Sequence, residues 1–142
     1  MDIIRVKSKQ QEEDAYHVRR EVFVHEQQVP EEMEMDEHDQ TALHFVGYED
    51  GKPVAAARLR FSQGHGKLER VCVLQDYRGR SFGQQMMKEM ESVIKEYSFN
   101  KAKLNAQTQA ESFYETLGYV RISDKFLDAG IPHVTMVKEL KE

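Results

Sequence analysis

Leu68-Glu69-Arg70-Val71-Cys72-Val73-Leu74, running through Gln75-Asp76-Tyr77 into Arg78-Gly79-Arg80-Ser81-Phe82-Gly83, is the stretch whose reading decides the fold. A β-branched apolar run ends in a short loop of arginines and glycines, and that loop opens a long amphipathic segment. Small residues let the backbone pass close to a ligand, and the free N–H groups at a helix start point outward. A strand–loop–helix unit of this kind suits a phosphate or pyrophosphate. Arg78 and Arg80 add two fixed positive charges in a chain whose formal net charge is −5. An ordinary βα connection with a solvated arginine pair fits the same residues. Two familiar phosphate loops do not, because the Gly-Lys-Ser/Thr ending of one and the third glycine of the other are missing.

Outward from this unit, Phe82, Met86, Met87, Met90, Val93, Ile94 and Tyr97 fall on one face of the following helix, where the methionines read as core filling. Upstream, Ile3 to Val6 reads as a strand, and Ser8-Lys9-Gln10-Gln11 as a capping box opening a helix that Pro30 ends or redirects. Leu43–Tyr48 and Val54–Phe61 form a hairpin around Asp50-Gly51, and Gln63-Gly64-His65-Gly66 turns the chain into Leu68–Leu74. Downstream come a strand over Lys103–Ala106 and a second capping box, Thr108-Gln109-Ala110-Glu111, with a short helix stopping at Gly118. Strands over Tyr119–Ile122 and His133–Val137 close the chain. The expected fold is α/β in the α+β sense, a mixed sheet with helices on both faces.

A chain of 142 residues fits one domain, 1–142, with a real core. The acidic balance argues against sequence-independent nucleic-acid binding, which needs a basic field. No apolar run approaches a membrane span, and Met1-Asp2-Ile3-Ile4-Arg5 lacks the apolar core of a signal peptide. Cys72, the lone cysteine, cannot form an internal disulfide, so a reducing cytoplasm is the expected location. His38 with Asp36, Asp39 and His44 lacks metal-ligand spacing, so no metal is expected. The acidic run Glu31–Asp39 could attract a cationic amine, although such runs are commonly just solvated.

Arg78-Gly79-Arg80-Ser81-Phe82-Gly83 resembles the acyl-CoA loop Arg/Gln-x-x-Gly-x-Gly/Ala of the GNAT superfamily of N-acetyltransferases, with Ser81 where that family has glycine. A second segment, Gln107-Thr108-Gln109-Ala110-Glu111-Ser112-Phe113-Tyr114-Glu115-Thr116-Leu117-Gly118-Tyr119, resembles the family's Asn-x-x-Ala-x-x-Leu-Tyr-x-x-x-Gly-Phe, with Gln107 for asparagine. Val22–Pro30, Leu104–Ala110 and Gly130–His133 look like the ElaA/YjcF-like bacterial branch. The resemblance covers nearly the whole chain. It implies a mostly antiparallel GNAT sheet and acetyl-CoA as co-substrate.

By resemblance, backbone groups of Val71, Cys72 and Val73 would bind the pantetheine and the thioester oxygen. The amides from Gly79 through Arg80, Ser81 and Phe82 to Gly83 would take the pyrophosphate, with Arg78 and Arg80 screening its charge. Tyr114 would protonate the leaving sulfur, and ring packing is compatible with that role. Simple strand alternation puts Glu69 on the face of Val71, where it could take the amine's proton; an ion pair with a neighbouring cation fits it as well. Glu26, His25, His44 and His133 are further candidates for the base. The same alternation puts Cys72 on the other face as a packing residue, so direct transfer in a ternary complex is expected. The expected activity is acetylation of a primary amine on a small molecule. A catalytically silent acyl-CoA-binding module and an acetyltransferase for protein or peptide amines are the alternatives; a homodimer is compatible with each.

Overall fold

The computed structural model describes residues 1–141. In chain order its elements are β1 (Asp2–Arg5), α1 (Lys9–Arg19) continued by a π-helical stretch over Arg20–Glu26, α2 (Glu31–Glu34), a 3-10 turn at Glu37–Gln40, and β2 (Leu43–Glu49). There follow β3 (Lys52–Ser62), β4 (His65–Val73), α3 (Phe82–Glu96), β5 (Lys101–Gln107), α4 (Glu111–Thr116), β6 (Val120–Arg121), β7 (Phe126–Asp128) and β8 (Ile131–Glu139). The strands make one mixed sheet in the order β1-β2-β3-β4-β5-β8-β6, with β7 also on β8. Every pairing is antiparallel except β4 with β5.

Helices cover both faces. The methionine face of α3 buries Met86, Met87, Met90 and Ile94 against Phe45, Leu59, Leu68, Leu104 and Met136. On the other face α1 places Ala15, Val18 and Val22 over Val46, Ala56 and Cys72. The Ser8 box is present: Ser8 Oγ accepts from the Gln11 amide at 3.1 Å while Gln11 Oε1 accepts from the Ser8 amide. The second expected box is not. Ala110, not Thr108, precedes α4, with no side-chain cap, because a 3-10 turn over Thr108–Ala110 carries the chain off β5. Strand β4 begins at His65, two residues inside the expected turn, and β7 was not expected.

Two irregularities of β4 shape everything functional. First, its ladder to β5 consists of Gly66↔Ala102 and Lys67↔Lys103 and then stops. Gly66 sits directly beneath Ile94 of α3, where any Cβ would collide with that side chain. The strands are thus pinned at one end and part beyond it. Second, Arg58↔Glu69 and Ala56↔Cys72 are paired neighbours, so Ala57 alone opposes both Arg70 and Val71. This is a β-bulge, with Arg70 at φ +56°. It shifts the alternation, correcting the sequence expectation. Glu69 and Cys72 lie on the α1 face, whereas Leu68 and Val71 pack on the α3 side.

The α1 face also buries charge. Arg19 and Arg58 are essentially inaccessible to water. Arg19 donates to Glu34 at 2.9 Å and to Asp39 at 2.7 Å; Arg58 donates to Asp36 at 2.6 Å, Asp39 at 3.0 Å and Glu69 at 2.8 Å. Arg70 adds a bond to Glu34 and Arg60 one to Glu69. The acidic segment is therefore divided: Glu34, Asp36 and Asp39 are the counter-ions of these arginines and not free to attract an amine, whereas Glu31, Glu32 and Glu37 stay exposed to solvent. Burial acts to raise the Asp36 and Asp39 carboxyls, but the arginine hydrogen bonds outweigh it and hold both below the ordinary range.

Carboxylates depressed in the folded state stabilise it above their unfolded pKa and lose that contribution as pH falls toward the folded one. The melting temperature should therefore drop as pH is lowered below about 5. Asp39→Asn should cost about 3 kcal/mol at neutral pH by leaving two buried cations short of a partner, and should flatten that acid slope. Thermal unfolding across pH checks both.

Candidate active site

Where β4 and β5 part, a cleft of about 640 Å³ opens. Val71, Cys72 and Val73 on one arm and Leu104, Asn105 and Gln107 on the other form its sides. The end of α1 closes it with Phe23 and Gln27, α4 with Phe113 and Tyr114, and the β7–β8 hairpin with Asp128 and His133. Past Lys67, β4 pairs only with β3, so its other edge faces the cleft.

The loop at the mouth is built as its residue types require. Gly79 and Ser81 are both left-handed, at φ +81° and +64°, the second marking where a glycine would be unstrained. The Ser81 hydroxyl does not cap α3, so the amides at that helix start stay unclaimed by a side chain. Arg78, Gly79, Ser81, Phe82 and Gly83 all line the cleft. Arg80 does not; it lies over the Tyr77 ring at 5.1 Å. Arg78 donates to Val73 O at 2.9 Å and grips Glu26 with two bonds of 2.7 and 2.8 Å. Both arginines thus have protein partners, and the hydrogen bond from Arg78 holds the Glu26 carboxyl below its ordinary pKa.

Tyr114 lies among the cleft walls, its ring edge-on to Phe113 and Tyr119, and its hydroxyl makes no hydrogen bond among the described residues. Burial, with the Cys72 sulfur nearby, pushes its pKa up to about 12, so it stays a donor. Of the two roles left open for Glu69, the structure supplies the ion pair. Burial acts to raise its carboxyl, but the hydrogen bond from Arg60 and the charges of Arg58 and Lys67 prevail and lower it. A carboxylate so committed is a weak base. Cys72 is walled in: its Sγ reaches only the Ala56 carbonyl at 3.8 Å, and burial pushes the thiol up to about 12.

Among the further candidates for a base, His25 is exposed and bound to Glu21, Glu26 holds Arg78, and His44 is buried on the Asp39 carbonyl at 2.8 Å. Only His133 reaches the cleft wall. Gln27 and Asp128 were not singled out from sequence. Gln27 lies in a segment noted only as a resemblance, and β7, which carries Asp128, is three residues long without alternation to reveal it. No grouping of three His, Cys, Asp or Glu among the described residues could hold a metal ion, and no helix there is long and apolar enough to cross a membrane.

This parted pair of strands, with the loop at its mouth, has counterparts among known proteins. The description "Acetyltransferase (GNAT) domain" matches residues 5–140. The chain belongs to the GNAT acetyltransferase family. It is 46% identical to YjcF of Bacillus subtilis, an uncharacterised N-acetyltransferase, over 98% of this chain and 100% of that one. The crystal structure of Escherichia coli ElaA superimposes with a TM-score of 0.87 at 28% identity, covering 98% of this chain and 100% of the other. An acyl-CoA N-acyltransferase from Pseudomonas aeruginosa gives 0.85 at 25% identity, covering 97% and 99%. The chain is thus an acyltransferase of the ElaA/YjcF-like branch, with the mostly antiparallel mixed sheet that its motifs foretold.

Relieving the one non-glycine left-handed residue in the loop should be mildly favourable. Ser81→Gly should change stability by about +0.5 kcal/mol, the lost Cβ strain slightly exceeding the added freedom of the unfolded chain. Chemical denaturation of the two proteins reads the difference.

Proposed function

We propose that this acetyltransferase uses acetyl-CoA to acetylate a primary amine of a small molecule, by direct transfer with both substrates in the cleft. The observation that carries the reading is the unpaired edge of β4 between a glycine-bearing loop and an unbonded tyrosine hydroxyl. Acetyl-CoA, when bound, supplies an activated thioester carbonyl and a thiolate leaving group. The residues present suit such a molecule. Backbone groups of Val71, Cys72 and Val73 offer an extended chain the hydrogen bonds that a strand partner would, and can stabilise negative charge on a carbonyl oxygen. The amides from Gly79 to Gly83, at the start of a fifteen-residue helix, suit a pyrophosphate. Arg78 would exchange Glu26 for that anion, a low-cost trade because both side chains are over one-third exposed.

Tyr114 donates its O–H to the departing sulfur. Held at about 12, the phenol sits above an ordinary thiol near 8.5, so it steadies the thiolate by a hydrogen bond more than by yielding its proton outright. Direct transfer is favoured over an acyl-enzyme because Cys72, the one thiol, is buried in the α1-side core and kept protonated. Glu69 keeps Arg58 and Arg60 in place below the amine's approach.

Thermal shift with acetyl-CoA, with ATP and NAD as controls, tests the reading. A ligand at a hundred times its Kd should add about 2.7 kcal/mol. The shift should be specific to acetyl-CoA and weaker in Arg78→Ala; no shift would overturn the assignment. In a CoA-release assay with a panel of amines, Tyr114→Phe should lower kcat by about a hundredfold while leaving the acetyl-CoA shift intact.

A further inference from the structure

Acetyl transfer to an amine needs a base and a means of choosing its nucleophile, and Glu69 is committed elsewhere. The β7–β8 hairpin supplies both. Its two-residue turn, Ala129–Gly130, has positive φ at each position, the geometry that suits the twist of a tight hairpin. Register sets Phe126 opposite His133 and Asp128 opposite Ile131, so these four side chains share one face. Leu127, on the other face, is 72% exposed, whereas Asp128, Ile131 and His133 line the cleft.

The imidazole of His133 is nearly buried and fixed from two sides. Phe126 stacks on it at 6.0 Å with 24° between planes, and Nδ1 lies 2.7 Å from the Ile131 carbonyl oxygen. A carbonyl only accepts, so Nδ1 must carry the hydrogen, and in the neutral ring Nε2 holds a free lone pair. Nε2 has no hydrogen-bond partner among the described residues. Of the other charged side chains on the wall, Glu34 is paired with Arg70, Glu69 with Lys67, and Arg78 with Glu26. Asp128 makes no ion pair among the described residues, and it is a carboxylate on the face that carries His133.

We propose that the β7–β8 hairpin is the amine-recognition element, Asp128 docking an alkylammonium group and His133 Nε2 removing its proton. This rests on the acetyl-transfer reading and narrows the acceptor to amines that are cationic in solution. One proton passes from the ammonium nitrogen to Nε2 and on to solvent. The nitrogen lone pair forms the N–C bond as the C–S bond breaks. The second amine proton leaves through water and ends on the sulfur that Tyr114 steadies.

The test pairs kinetics with a measurement that needs no turnover. In imidazole-15N-labelled protein without acetyl-CoA, His133 should show the Nδ1–H tautomer, and 1,5-diaminopentane should shift its signals while aniline should not. His133→Gln should lower kcat/KM for 1,5-diaminopentane about a hundredfold with the acetyl-CoA thermal shift unchanged. In His133→Ala, added imidazole should restore part of the rate. Asp128→Asn should raise KM for the diamine roughly threefold, the scale of one exposed ion pair, without changing kcat. A His133→Gln enzyme within threefold of wild type, an Nε2–H tautomer, or aniline used as well as the diamine would overturn the proposal. Absence of an acetyl-CoA shift in the wild type would instead remove the acetyl-transfer reading, and this inference with it.

Discussion

Two guanidiniums held out of water, those of Arg19 and Arg58, set the terms for the rest of the molecule. An uncompensated buried cation costs roughly 3–5 kcal/mol, a large share of the stability of a domain of this size. Helix α1 brings one and strand β3 the other, and the segment from Glu31 to Gln40 must return across both to supply Glu34, Asp36 and Asp39. The bulge at Arg70 belongs to the same arrangement. It lets Glu69 meet Arg58 and then sends Arg70 toward Glu34, so the acidic segment is tied to β4 as well. The end of α1, which forms one wall of the cleft, is thereby anchored from below.

Beyond that anchor the cleft is spanned by side chains from adjacent positions. Glu26 grips Arg78 on the β4 side, and Gln27 accepts from Gln107 at the end of β5, at 2.8 Å. The two arms that the backbone ladder releases after Lys67 are thus rejoined through Glu26, the last residue of the π-helical stretch, and Gln27, which caps it. A π-helical stretch is rare and recurs at functional positions, and here its last residue and its cap both reach the gap.

Much of the fold was legible because its signals are local: the Ser8 box, the Asp50-Gly51 turn, the methionine face of α3 and the loop opening at Arg78 each lie within a short window. The bulge was not legible. Nothing marks Arg70 as left-handed, and a one-residue slip reverses every later side chain, which is why Glu69 and Val71 were expected on one face. The pairing of Glu34, Asp36 and Asp39 within the acidic run was not legible for a related reason. Their partners Arg19, Arg58 and Arg70 are scattered along the chain and meet them only through tertiary packing. Thr108 looked like a cap because a capping motif is a pattern of residue types, whereas a cap is also a backbone geometry that the 3-10 turn denies it.

The parted strands leave a row of main-chain donors and acceptors facing inward on β4. On the outside of a sheet such a row is a template for adding a strand from another molecule, the first step of edge-to-edge aggregation. Here it lies at the bottom of a crevice flanked by Phe23, Phe113 and Tyr114. A neighbouring protein would have to offer a strand stripped of its own sheet to reach it. A crevice of this shape favours a slender extended ligand over a folded chain, and a sticky edge is kept away from the open rim of the sheet.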